Sequence, residues 1–185
     1  MLFLTMQESD RDRFDNIHYL RRGTALQRRI YGLLEREALL AKLQAFQPFL
    51  AGTIPLDISI PSSDIDILCC ANDLERFQKF VGDTFGDQHL FACSSLLVNG
   101  EPTVLATFKL DGFAVEIFAQ RKPVKQQNGY LHLVKEWEIL TAQGQEFKQK
   151  IIALKRAGMK TEPAFAHLLN IEGDPYEGLL NYTVV

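Results

Sequence analysis

Apolar residues recur along this chain with two different periods, and the switch between them divides it into parts. From 24 to 46, Leu26, Ile30, Leu33, Leu34, Leu40 and Leu43 fall at helical spacing, which predicts one amphipathic helix. Thr24, with Gln27 three residues on, supplies a capping box to open it. A short apolar run, Phe49 to Ala51, stops at Gly52, and a loop with two prolines leads to "DIDILCC", read as a strand. "NDLERFQKFVGDTFG" returns to helical spacing, with Leu74, Phe77, Phe80 or Val81, and Phe85 inward. Two strand-like runs follow, "HLFACSSLLV" and "TVLATFKL". The turn Asp111-Gly112 joins the second to "FAVEIFA", a hairpin signal.

Beyond residue 128 the pattern is helical. "GYLHLVKEWEIL" and "EFKQKIIALKRAG" predict two helices, the second ending at Gly158 as its C′ residue. Thr161 is placed as the N-cap of a further helix, with Pro163 in its first turn. Asp174, Pro175 and Glu177 are placed as N-cap, N1 and N3 of the last. Helix, then mixed β and α, then helices is an α+β order. No linker interrupts it, so residues 1–185 are read as a single domain, with a core over about 24–120 and a helical part over about 121–185.

Composition narrows the setting. The apolar (46%) and charged (23%) fractions are those of an ordinary globular chain. The net charge of −3 argues against a dedicated nucleic-acid binder. The charge is uneven: residues 121–160 hold nine Lys/Arg against three acids, whereas 161–185 hold four acids and no Lys or Arg. A basic block of this kind can be a polyphosphate platform, but solvated helix faces account for most of it. Cys69, Cys70 and Cys93 lie in apolar strand contexts and read as reduced thiols of a cytoplasmic protein. "MLFLTMQESD" has no basic region and too short an apolar run for a secretory leader, and either Met1 or Met6 can open the chain. No run approaches the length of a membrane span.

The anomaly lies inside the apolar pattern. Asp64 and Asp66, one residue apart in a strand, point to the same face, while Ile65 and Ile67 point to the other. Carboxylates that close repel and raise a pKa unless a cation lies between them. Mg²⁺, which takes few protein carboxylates and shares its shell with phosphates, is the simplest cation to fit. Glu116 is a third acid in an apolar strand, between Val115 and Ile117. A lone D-x-D often only caps a turn, and a lone strand Glu often faces solvent. Gly52-Thr53, ten residues upstream of the pair, tips the balance: a glycine backbone and a hydroxyl suit a phosphate.

With these residues the chain resembles the nucleotidyltransferase (DNA polymerase β-like) superfamily. Its pattern is an apolar residue, Gly-Gly or Gly-Ser, a gap of about ten residues, Asp-x-Asp/Glu on a strand and a later strand acid. Here those positions read "AGT", "IPLDISIPSS", "DIDI" and "VEI", with Thr53 where serine is usual. From "YLRRGTALQR" through "KTEPAFAHLL" to "GDPYEGLL" the chain also resembles a group of small uncharacterised bacterial proteins in that superfamily. The resemblance implies a mixed β-sheet with flanking helices and a helical C-terminal part. It implies that Asp64, Asp66 and Glu116 hold Mg²⁺ (or Mn²⁺) and that Glu116 helps deprotonate the attacking hydroxyl. Gly52, Thr53 and Ser63 (or Ser62) would bind the phosphates of an NTP, ATP first among them. The acceptor is left open between a small molecule, a protein and an RNA end.

Arg121 and Lys122, just past the Glu116 strand, are candidate phosphate ligands. Arg28 and Arg29 read as surface arginines, His132 as structural, Gln127 and Asn128 as caps, and Trp137 as core. Lys155 and Lys160 read as dipole-complementing cations at a helix end. Asp57 either ties down its loop or adds to metal binding. The competing class is a non-catalytic nucleotide-binding or regulatory module on the same fold. A glycosyltransferase D-x-D is disfavoured by the upstream Gly-Thr and the downstream acid, and a D-x-D phosphatase by Ile67-Leu68 where a threonine is expected.

Overall fold

In the computed structural model, residues 12–184 are described, so the segment with Met1 and Met6 lies outside them. Strands Phe49–Ala51 (β1), Ile65–Cys70 (β2), His89–Val98 (β3), Glu101–Leu110 (β4) and Phe113–Gln120 (β5) form one sheet, ordered β1-β2-β5-β4-β3. β2 and β5 run parallel; every other neighbouring pair is antiparallel. The β4–β5 turn has left-handed φ at both Asp111 (50°) and Gly112 (87°), the backbone a tight two-residue hairpin needs.

Alternation along β2 and β5 sorts their side chains. Ile65, Ile67 and Cys69, with Val115, Ile117 and Ala119, enter one apolar cluster. There they meet Ile30, Leu33 and Leu34 of helix Ala25–Arg36 (α1) and Phe77, Val81 and Phe85 of helix Leu74–Phe85 (α3). Each Val, Leu, Ile or Phe among them, fully buried, contributes roughly 1.5–3 kcal/mol. Leu68, with Phe49 and Ala51 of β1, points the other way. It joins a second cluster built on helix Asn128–Arg156 (α4), helix Thr161–Leu169 (α5) and helix Pro175–Asn181 (α6). At α3 the structure chooses between the two candidates: Val81 is buried, and Phe80 packs at the margin.

The helix expected over 24–46 is broken. α1 ends at Arg36, Ala38 takes φ 51°, and a four-residue helix, Leu39–Lys42 (α2), and a 3-10 turn follow. The reason is rotational. Nine residues separate Ile30 from Leu39, about half a turn out of phase at roughly 100° per residue, so an unbroken helix would turn Leu39 away from the sheet. With the break, Leu39 and Leu43 are both buried. The two helices expected after 128 are both present: they meet at Gly144 (φ 77°, ψ −168°), where the backbone leaves helical geometry within the span labelled α4. Gly158, at φ 98°, follows its C-cap. Thr161 is not the N-cap of α5: Lys160 holds that position, with no side-chain capping bond, and Thr161 is the first helical residue. Asp174 caps α6 as expected, accepting from the N–H groups of Tyr176 and Glu177 at 2.9 Å.

Candidate functional site

Register brings two of the three strand acids together. Asp66 lies directly opposite Glu116 across the parallel β2–β5 pair, and Ala51 of β1 lies opposite Asp66 on its other side. Both carboxylates therefore rise from the same sheet face, toward α4. Asp64, one residue before β2, is close enough that its charge raises the pKa of both. Burial pushes the Asp66 carboxyl up to about 7, with Glu116 and then Asp64 adding to the shift, and Lys155 opposing it. Glu116 is raised by burial first and by Asp64 second.

Gly52 is fixed here by space and by backbone. Its φ is +72°, and a Cβ would fall on the Asp66 carboxylate, 2.8 Å from its Cγ and 3.2 Å from its Cβ. Only glycine combines that conformation with so close an approach. The loop that follows is pinned at several points. The Thr53 hydroxyl donates to that of Ser63 (3.3 Å), which also accepts from the Ile60 N–H (2.9 Å). Gln27, half of the observed Thr24–Gln27 capping box, donates to the Ile54 carbonyl at 2.8 Å. Asp57 forms an ion pair with Lys148 at 2.8 Å, so it ties down the loop and takes no part in the acidic group.

Above this face opens a cleft of about 700 Å³, walled by β1, β2 and β5 on one side and α4, α5 and α6 on the other. Gly52, Thr53, Asp66 and Glu116 line it, as do Asn128, His132, Glu136, Glu162, Asp174 and Glu177. Among the described residues, the lining holds six carboxylates and neither lysine nor arginine.

Arg121 and Lys122 are not brought to this cleft. Glu116 lies five residues before Arg121, about 16 Å along a strand at roughly 3.3 Å per residue. Lys122 instead reaches Glu101 at 3.4 Å. Nearness in the chain was a poor guide because the strand runs away from the acids. Ser63 meets Thr53 but lines a separate cavity of about 440 Å³ with Arg29 and Asp111. Arg29 pairs with Asp111 at 3.3 Å, and Arg28 donates to the Gly23 carbonyl, so both belong to the surface. Much of the basic block is likewise engaged: Lys125 with Asp15, Lys135 with Glu138 and Lys150 with Glu146. Gln127 does not cap α4 through its side chain; it donates to the carbonyls of Cys69 (2.8 Å) and Lys122 (3.0 Å). Trp137 packs edge-on against Phe14, with ring centroids 5.9 Å apart.

Three residues of the helical wall, and a buried lysine beside them, were not anticipated from sequence as a group. His132, Glu136 and Glu162 bring ligand-type atoms within 4.8 Å of one another. Lys155 is only 5% exposed, and its Nζ has no hydrogen-bond partner. Burial lowers its pKa against the pull of Glu136, Glu162 and Asp66. Burial also raises Glu136 well above the usual carboxylate range. A signal for Lys155 was present: it follows Phe147 and Ile151 at intervals of four, which places it on the inward face of α4. His132 and Glu136 share the same i, i+4 spacing beside buried Leu133.

A family model described as a domain of unknown function (DUF4269) matches residues 32–182. The chain belongs to that family. No curated protein matches this DUF4269 chain in sequence. Its fold is similar to that of solved polymerases. One is the Cid1 poly(U) polymerase with Mg 3′-dATP bound (TM-score 0.50, 11% identity, 80% of this chain and 48% of that one). Another is the polymerase core of TRAMP, an RNA surveillance complex (TM-score 0.51, 13% identity, 94% of this chain and 55% of that one). The DUF4269 chain thus has a nucleotidyltransferase-like α+β fold, spanning about half the length of the structures it matches. No helix among its described residues is long and apolar enough to cross a membrane.

Proposed function

We propose that this chain is a Mg²⁺-dependent nucleotidyltransferase, moving a nucleoside monophosphate from an NTP, ATP first, to the hydroxyl of a small molecule, protein or RNA end. The observation that carries this reading is the Asp66–Glu116 pair at the floor of the cleft, with Gly52 pressed against the Asp66 carboxylate. The residues present fit a divalent ion. Glu116 and Asp64 add to the cost of ionising Asp66, Asp64 adds to that of Glu116, and an oxygen-only donor set suits Mg²⁺ or Mn²⁺. A triphosphate also needs accompanying cations to enter a cleft lined by six carboxylates.

Asp64, Asp66 and Glu116 are the proposed metal ligands. When bound, the ion would supply neutralisation of phosphate charge and a more acidic acceptor hydroxyl. The chain's own part is positioning. The Gly52 backbone and Thr53 hydroxyl orient the phosphates, with Ser63 holding Thr53 in place. Glu116 would also take the proton of the attacking hydroxyl. The sheet core and the helices from residue 121 onward act as one unit that encloses the nucleotide between them. Three free cysteines support a reducing, cytoplasmic setting.

One observation favours a second reading, a non-catalytic nucleotide-binding module: among the described residues, no lysine or arginine lines the cleft to steady a leaving pyrophosphate. Incubation with α-³²P-labelled ATP, Mg²⁺ and cell extract separates the two. The enzyme reading expects a labelled acceptor with wild type and none with Asp66→Asn or Glu116→Gln that remain folded by circular dichroism. Label arriving only from γ-³²P-ATP would make the reaction phosphoryl transfer. Equal labelling by both variants would remove the carboxylates from the chemistry.

A further inference from the structure

We infer that His132, Glu136 and Glu162 form a second metal site, for a divalent transition-metal ion, in the helical wall of the cleft. The inference does not depend on the nucleotidyl-transfer reading. His132 and Glu136 are four residues apart on α4 and so project from one helical face, and Glu162 reaches them from the first turn of α5. One ligand-type atom from each lies within 4.8 Å of the other two. His132 is only 7% exposed and its buried Nδ1 has no hydrogen-bond partner, a state that costs free energy unless something fills the coordination. Glu136 is 4% exposed and has no ion pair within 4.0 Å among the described residues.

One imidazole with two carboxylates is a donor set for Zn²⁺, Mn²⁺ or Co²⁺, whereas the acids on the strands offer oxygen alone. Three protein ligands leave a coordination position open toward the cleft. The ion would bind α4 to α5 across the turn at Gly158, holding the wall of the cleft in place. The groups facing the cluster are Lys155, Asp174 and the Tyr176 ring, centroid 6.1 Å from that of His132. Lys155, whose charge is felt by both Glu136 and Glu162, is the competing source of positive charge.

Co²⁺ titration of the full chain, followed by its visible d–d absorption, tests the site. The background is the Asp66→Asn/Glu116→Gln double variant, so the strand acids contribute little. One Co²⁺ per chain is expected, with affinity falling at least ~10-fold in Glu162→Gln and in His132→Gln. Glu162 is half-exposed, so its variant keeps the test valid if the buried His132 variant does not fold. No Co²⁺ uptake, or uptake unchanged by Glu162→Gln, would overturn the site and leave Lys155 as the charge partner. Because the double variant lacks the strand site, failure here leaves the nucleotide reading standing.

Discussion

Gly52→Ala probes how tightly the loop is pressed onto the acids. Two costs add. The φ of +72° is left-handed, and an L-residue there loses about 1–2 kcal/mol. The new Cβ would also lie 2.8 Å from Asp66 Cγ and 3.2 Å from its Cβ. Relief means turning Asp66 off its rotamer, about 0.5–1.5 kcal/mol, and shifting β1 from β2. The expected total is about 2–4 kcal/mol, a Tm drop of about 5–15 °C for a chain of this size. Gly100→Ala is the control, since Gly100 has φ +78° with no atom within 4 Å of a Cβ. It carries the backbone cost alone, about 1–2 kcal/mol. Urea unfolding of both variants measures the difference. Equal losses would refute the close approach of Gly52 to Asp66.

Two further outcomes follow from named contacts. Asp66 and Glu116 have folded-state pKa values above their unfolded ones, so the folded state holds extra protons between about pH 4 and 7. Without divalent ions, stability should therefore fall as pH rises through that window, and urea melts at several pH values should show Asp66→Asn flattening the slope; an unchanged slope would contradict the crowding. Gln127→Ala removes donors to Cys69 and Lys122 at the end of β2, for an expected loss of about 1–3 kcal/mol by chemical denaturation.

Much of the floor of the cleft was legible because strand periodicity is local. Asp66 and Glu116 had to share a face with Leu68 and Phe118, and the isoleucines had to take the other. Their pairing was only conditional from sequence, since nothing local dictates that β5 inserts beside β2. The capping box, the Asp111-Gly112 turn and the Asp174 cap were legible for the same reason: each is complete within a few residues. The break at Ala38 was not, because tertiary demand for Leu39 and Leu43 overrides a sequence without Gly or Pro there. Arg121 and Lys122 show the opposite error, in which closeness along the chain stood in for closeness in space. The helical wall was the least legible part. His132 and Glu136 come from α4 before Gly144, Lys155 from α4 after it and Glu162 from α5, so their meeting depends on the Gly144 interruption and the turn at Gly158.

The central claim is that the Asp66–Glu116 face binds nucleotide through a divalent ion. Calorimetric titration with a non-hydrolysable ATP analogue tests it most directly, with Mg²⁺ and with a chelator. Binding is expected with Mg²⁺, none with the chelator, and none in folded Asp66→Asn/Glu116→Gln. Binding of the analogue that is indifferent to Mg²⁺, or that survives in the double variant, would contradict it.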